Sequence, residues 1–501
     1  MNRCAVTCIM AAMCCLSSAR AGDPERWKTP KPDKPDLSVA YIERTPKYPG
    51  TTQKYRVIDW GPDGPKGDGL PVTFTSTKQQ HWPNPGQTVT FTAHVKNKGA
   101  QPTPRYDWHW LIDGKDVTDG WSAPLGVQAE RVYKQTWKWK PGRHYIAFEV
   151  DRGRLIDEIT HKNDFVVDAT DALSFGFFVE QDVYNWFNDH MSGFDSYSWE
   201  DWAQFQVQEM NREFRDEIHP ATPAGIEIRA RLDKVTILPN GFKDPGGTHA
   251  PVDNVKSGYD GVWGFTGGLM TLNKDGKNFY EANPQWLVGC EWPLHHELGH
   301  QFGQPDYYLL PVSKDNNKAV PGLAYPTPDW FQHQMMFSGN YYHDEMIGHN
   351  KGTWDSGYRF WGQAAAAAFN VTKDMRRGFF GTFLVDIPTT NTFTFVDEGM
   401  KPLPGAKISV YPAVSRDYGN GWFPAKARFT GTTDRNGTWT LNRSPYDVVL
   451  NWTSNGSVEF TAATPAGARL AGFLNISDFN LEYWRGHAKN GEYVVMMKPA
   501  P

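Results

Sequence analysis

The chain has 501 residues, too many for one hydrophobic core, so roughly two to four domains are expected. Lys and Arg total 51 against 56 Asp and Glu, and no polybasic block occurs, which gives no basis for nucleic acid or an anionic membrane as a partner. Plentiful glycine (47), proline (36) and 14% aromatic residues suit several β-rich modules joined by turns.

The first segment reads as a secretory signal. Arg3 supplies a short positive region, Cys4 to Leu16 is apolar but too short to span a bilayer, and Ala19-Arg20-Ala21 is a small-x-small cleavage site. Residues 1–21 are therefore expected to be removed on export, leaving a chain that is secreted, periplasmic or on the cell surface, with no membrane span. Four of the five cysteines lie in this segment, so the mature chain keeps only Cys290 and forms no internal disulfide. Cys290 reads as a small buried apolar residue. Residues 22–36 include Lys28-Thr29-Pro30-Lys31-Pro32-Asp33-Lys34-Pro35 and read as an extended linker.

Residues 37–168 read as an all-β sandwich. Thr88 to Val95 alternates with period two, and Tyr106-Asp107-Trp108-His109-Trp110 does the same before the turn Asp113-Gly114. Trp137-Lys138-Trp139 and His144 to Val150 continue the pattern around Pro141-Gly142. The runs Pro85-Gly86-Gln87-Thr88-Val89, Val95-Lys96-Asn97-Lys98-Gly99, Ile112-Asp113-Gly114 and Glu149-Val150-Asp151 resemble the bacterial cell-adhesion-related (CARDB) domains. The tryptophans of this module either fill its core or form a platform for polysaccharide.

From residue 170 to 382 the pattern is mixed. Leu173 to Val179 reads as a strand. Ser198-Trp199-Glu200-Asp201 starts a capped helix that turns Trp202, Phe205, Met210 and Phe214 inward and ends by Pro220. Ile226, Ile228, Ala230 and Leu232 alternate as a strand whose phase shifts at Asp233, the mark of a bulge. Tyr259 to Met270 is Gly-rich, an exposed strand or loop. A helix is expected from Trp286 to Phe302 and another around Tyr358 to Asn370.

The first of these two helices carries His296-Glu297-Leu298-Gly299-His300-Gln301-Phe302-Gly303-Gln304-Pro305-Asp306, the pattern H-E-x-x-H-x-x-G-x-x-D. Histidines four apart share a helix face, so both imidazoles can reach one ion. Glu297 stands beside the first, where it can hold a metal-bound water as general base. Gly303 can adopt the left-handed conformation that stops a helix, and the turn would bring Asp306 back as a third ligand. A fourth position is left for water, as in catalytic rather than structural zinc sites. His295 sits about 100° around the helix from His296 and reads as structural.

This pattern is similar to that of the metzincin zinc peptidases, in the branch with aspartate as third ligand, such as the snapalysin and immune inhibitor A types. The resemblance implies a metzincin-like catalytic domain, Zn2+ held by His296, His300 and Asp306, Glu297 as general base, and a Met-turn downstream. Gln334-Met335-Met336-Phe337-Ser338-Gly339-Asn340 is similar to that turn, with Met336 favoured over Met335 as the methionine beneath the metal. The tyrosine that astacin-like members carry after this methionine is absent, and Tyr341 or Tyr342 could stand in for it.

From 384 to 500 the chain reads as β again. Pro404 to Tyr411 and Gly431 to Leu441 are strand-and-turn pairs similar to transthyretin-like carboxypeptidase regulatory domains, which implies a scaffold or attachment module. The expectation is thus a multidomain chain, an α+β zincin (metzincin-like) catalytic domain between two all-β sandwich domains, that cleaves protein or peptide substrates. An extended substrate would pair with an edge strand within Tyr259–Met270. Two readings compete: a thermolysin-like site with Glu345 as third ligand, and a non-catalytic adhesion protein, bound to a surface or polysaccharide, whose metal is structural.

Overall fold

The computed structural model describes residues 26–48, 50–59, 73–242, 249–251, 257–307, 310–325, 334–336, 360–373, 386–414, 421–446 and 456–501. The expected signal at 1–21, residues 337–342 and Glu345 lie outside them.

The N-terminal sandwich is built from β1 (Leu37–Thr45), β2 (Gly50–Asp59), β3 (Thr73–His81), β4 (Thr88–Asn97), β5 (Tyr106–Ile112), β6 (Lys115–Ser122), β7 (Glu130–Lys138), β8 (Tyr145–Val150) and β9 (Phe165–Ala169). They pair as two sheets, β1-β4-β7 and β6-β5-β8-β9, with β2 and β3 as a separate hairpin. Alternation decides what points inward: Val89, Phe91, Ala93 and Val95 of β4 bury against Trp110, Ile146, Phe148 and Val150 of the facing sheet. Trp110, Trp137 and Trp139 are part of this core, so they form no carbohydrate platform, whereas Trp121 is 57% exposed.

Residues 26–36, within the stretch read as an extended linker, are packed against their neighbours. Trp27 is buried against Trp186 and His190, and the Tyr197 hydroxyl donates to the carbonyls of Thr29 and Pro30. Ala100 donates its N–H to Lys34 O, and Asp36 is fully buried. Proline removes donors but leaves every carbonyl free to accept, so an extended proline-rich segment can be strapped down by its neighbours.

The middle unit has a parallel sheet of β10 (Ala172–Glu180), β11 (Arg229–Leu238) and β12 (Gly261–Phe265), in the order β11-β10-β12. Parallel neighbours need a crossover. After the short helix α1 (Gln181–Trp186), α2 (Trp199–Asp216) supplies the crossover between β10 and β11, started by Ser198, whose hydroxyl accepts from the Asp201 N–H at 3.3 Å. Trp202, Met210 and Phe214 point into the core, but Phe205 is only half-buried. The bulge falls at Asp233, which is skipped between the pairs Phe175–Leu232 and Gly176–Lys234.

The metal-bearing helix is shorter than the sequence pattern predicts. After α3 (Phe279–Ala282), the chain forms α4 (Gln285–Val288), becomes extended at Gly289, and restarts as α5 (Trp292–Gln301). Pro293 lies in the first turn of α5, where its missing N–H has no intrahelical partner to lose, so it marks a start rather than an interior. Helix α6 runs Gln363–Val371, beginning later than expected.

The C-terminal unit contains β13 (Thr390–Val396), β14 (Lys407–Pro412), β15 (Phe429–Thr432), β16 (Thr438–Leu441), β17 (Ser457–Ala463), β18 (Arg469–Asn475), helix α7 (Ile476–Glu482), β19 (Asn490–Met496) and β20 (Lys498–Pro499). Its sheets are β16-β13-β19 and β15-β14-β17-β18-β20. Phe393, Phe395, Val410 and Phe460 fill the space between them, in a core continuous with that of the middle unit.

Candidate metal centre

Helix α5 lies against β12 and is clipped to it by one side chain. Gln301 donates its Nε2–H to Val262 O at 2.7 Å and accepts from the Val262 N–H at 2.8 Å. His295 fixes the other flank: its ring nitrogens contact Glu213 Oε1 at 2.9 Å and Gln206 O at 3.0 Å on α2. Cys290 is half-buried beside this pair, and burial pushes its thiol well above the ordinary value, so it is no thiolate nucleophile.

The end of α5 is a glycine cap. Gly303 has φ +94°, its N–H bonds to His300 O at 2.9 Å, and the Gln304 N–H bonds to Gly299 O at 3.1 Å. This pair of bonds is a Schellman motif, and it reverses the chain. The reversal carries Asp306 back over the helix, and the Tyr307 N–H ties the returning chain to Met336 O at 2.7 Å.

His296, His300 and Asp306 are brought together and all three are buried. Asp306 Oδ1 lies 3.1 Å from the Nε2 atoms of both histidines. Each Nδ1 faces a backbone carbonyl, Met335 O for His296 at 2.8 Å and Gln304 O for His300 at 2.9 Å. A carbonyl only accepts, so both Nδ1 atoms carry a proton and both Nε2 atoms are turned to the common point. Burial opposes charge on His300, but the Asp306 carboxylate holds it up at about 9. Burial likewise opposes ionisation of Asp306, yet His300 and His296 hold it below the usual carboxylate range. The pocket thus favours positive charge at the Nε2 position. Two imidazoles and one carboxylate with converging lone pairs are a donor set that fits Zn2+.

Glu297 is half-buried at the next position of the helix, with its charge in reach of His300. Met335 and Met336 are both fully buried. Met335 supplies the carbonyl that orients His296, and Met336 lies under the helix, its sulfur 2.5 Å from where a Cβ on Gly299 would stand. The carbonyls of Met335 and Gln304, the Gln301 clip and Trp361 beneath Gly299 were not visible in the sequence. Within Tyr259–Met270, β12 is an outer strand among the described residues. However, the Val262 backbone is engaged by Gln301 and the Gly267 N–H by Glu180, so those two positions are closed to a substrate strand.

Comparison with known proteins identifies the N-terminal sandwich. The CARDB family model matches residues 70–167. The chain contains a CARDB domain. No curated protein matches the chain. Among solved structures, it is similar to the CARDB domain of a Pyrococcus furiosus protein in complex with di-metal ions, at 17% identity, covering 29% of this chain and 96% of that one with a TM-score of 0.19. It is also similar to the dioxygenase domain of a dioxygenase and carbohydrate-binding fusion from Streptomyces sp. SirexAA-E, at 18% identity, covering 23% of this chain and 81% of that one with a TM-score of 0.15. Among the described residues, no helix next to the CARDB domain or elsewhere is long and apolar enough to cross a membrane.

Proposed function

We propose that the chain is an exported zinc-dependent endopeptidase, with a metzincin-like catalytic unit in its middle third. The observation that carries the reading is the convergence of His296 Nε2, His300 Nε2 and Asp306 Oδ1, with both Nδ1 atoms tied to backbone carbonyls. His296, His300 and Asp306 would hold Zn2+, which would supply Lewis-acid chemistry there. With their Nδ1–H groups held by backbone carbonyls, His296 and His300 would present Nε2 to the ion and be neutral once it is bound. Asp306 adds the negative charge that this donor set needs. Glu297 accepts the proton of the attacking water and returns it to the leaving amine, the task its place beside His296 allows.

The reading is tested by comparing Glu297→Gln with the wild type in peptide-library cleavage and zinc analysis. Cleavage is expected to fall at least about 100-fold, the range for losing a general base, while zinc content persists. Full activity in the variant would sink the proposal. The CARDB domain keeps a second reading in view, a surface-binding protein with a structural metal. That reading expects no cleavage by either protein and surface or polysaccharide binding that survives chelation.

A further inference from the structure

The loop joining β8 to β9 gathers a second set of ligand groups, in a different module from the first. One ligand atom from each of Asp151, Glu158 and His161 lies within 4.8 Å of the other two. His161 Nδ1 is 2.8 Å from both Glu158 Oε1 and Asp164 Oδ2. Asp151, Glu158 and Asp164 are all buried, the Glu158 side chain completely. Among the described residues no Lys or Arg forms an ion pair with any of the three, so the one nearby base is His161.

The fold, and not mutual attraction, holds these acids together. Asp151 accepts the N–H groups of Leu155 and Ile156 at 3.0 and 2.9 Å, which curls the loop over it. Leu37 at the start of β1 donates its N–H to Glu158 Oε2 at 2.7 Å. The remaining oxygens find no donor outside the cluster: Glu158 Oε1 meets His161 Nδ1, Glu158 and Asp164 meet each other, and neither Asp164 Oδ1 nor Oδ2 of neighbouring Asp36 has a partner beyond these groups. The single proton of His161 Nδ1 cannot satisfy both Glu158 and Asp164. Buried acids with unpaired oxygens are neutralised either by protonation, which burial and the neighbouring acids favour at Glu158 and Asp164, or by a cation among them.

We infer that this loop binds a divalent transition-metal ion such as Mn2+ or Zn2+, with Asp151, Glu158, Asp164 and His161 as its ligands. The mixture of carboxylates and one imidazole selects that class over Mg2+ or Ca2+, which take oxygen ligands. The inference does not depend on the peptidase reading.

The test counts metal in the chelator-stripped full chain after titration with Mn2+, Zn2+ or Ca2+, by calorimetry and elemental analysis. One equivalent should disappear in His161→Ala and in Glu158→Gln/Asp164→Asn, yet remain in His296→Ala. The inference is overturned if all bound metal survives both loop variants, or if His296→Ala alone removes every equivalent. Calcium binding that is indifferent to His161→Ala would overturn it as well. If the double variant fails to fold, His161→Ala decides alone: its ring is 28% exposed, and at least tenfold weaker binding is expected. Failure of the peptidase reading would appear separately, as zinc binding indifferent to His296→Ala.

Discussion

Two glycines hold the three candidate ligands in place, and they do so differently. A Cβ on Gly299 would stand 2.5 Å from Met336 Sδ and 2.7 Å from a ring carbon of Trp361, so the helix sits directly on these side chains. Gly299→Ala is expected to cost about 1–3 kcal/mol by overpacking, and to weaken metal binding by lifting His296 and His300. Gly303 is needed for its backbone, at φ +94°, and Gly303→Ala should cost about 1–2 kcal/mol through left-handed strain. Urea unfolding with metal present and absent separates the two: the Gly299 variant should lose more of its metal-dependent stabilisation per kcal/mol of destabilisation. At this scale the sequence was legible where side-chain identity carries the chemistry. The four-residue spacing, the glycine stop and the returning aspartate could all be read. The groups that orient the imidazoles could not, because Met335 and Gln304 act through carbonyls that any residue would supply. The sequence favours Met336 over Met335, and the structure gives the two different tasks: a side chain under the helix and a carbonyl on His296.

Elements were readable where one face is buried and obscure where contacts come from elsewhere in the chain. The strand at Leu173, the cap at Ser198 and the bulge at Asp233 follow local periodicity and local hydrogen bonds. The metal-bearing helix did not, since apolar residues continue through Gly289 and only the backbone break at Gly289 and Pro293 separates α4 from α5. Residues 26–36 show the same limit in another way. Their proline and lysine content has no apolar period, so nothing local announces that Trp27 buries against Trp186. Trp27→Ala is expected to release this strap without unfolding the rest. Hydrogen exchange should show faster exchange at the Ala100 N–H, which bonds Lys34 O, and at the Met191 N–H, which bonds Trp27 O. Amides of β10 should keep their protection. Equal loss of protection in β10 would mean that the strap is part of the global core.

At the scale of the whole molecule, the three units are joined by buried polar groups, which no periodicity in the sequence reveals. On one side, Lys98 and Lys96 of the CARDB domain meet Glu200 in the first turn of α2 at 2.6 and 2.7 Å. Burial opposes charge on Glu200, yet Lys98 and Lys96 hold it below the usual carboxylate range, while burial lowers Lys98 from its ordinary value. The other junction behaves in the opposite way. Leu310 O accepts from the Ser457 hydroxyl at 2.7 Å, Lys318 and Phe423 share a backbone bond at 3.0 Å, and Asn317 donates to Glu459 Oε1 at 3.1 Å. Glu459 is fully buried, and its Oε2 accepts nothing. Burial pushes its carboxyl up from an ordinary value of 4.5 to about 7, against the smaller opposing effect of Asn317. Between these two values the folded chain holds a proton that the unfolded chain releases, so stability from this group is complete below 4.5 and lost as pH rises through 7. The ceiling is roughly 3 kcal/mol between the two limits. Glu459→Gln keeps the Asn317 contact and removes the titration. Relative to wild type, the variant should therefore gain up to roughly 3 kcal/mol on going from pH 5 to pH 8, read from urea midpoints at each pH. Parallel pH profiles for the two proteins would mean that Glu459 is already solvated at this junction, and that the C-terminal unit opens away from the middle one.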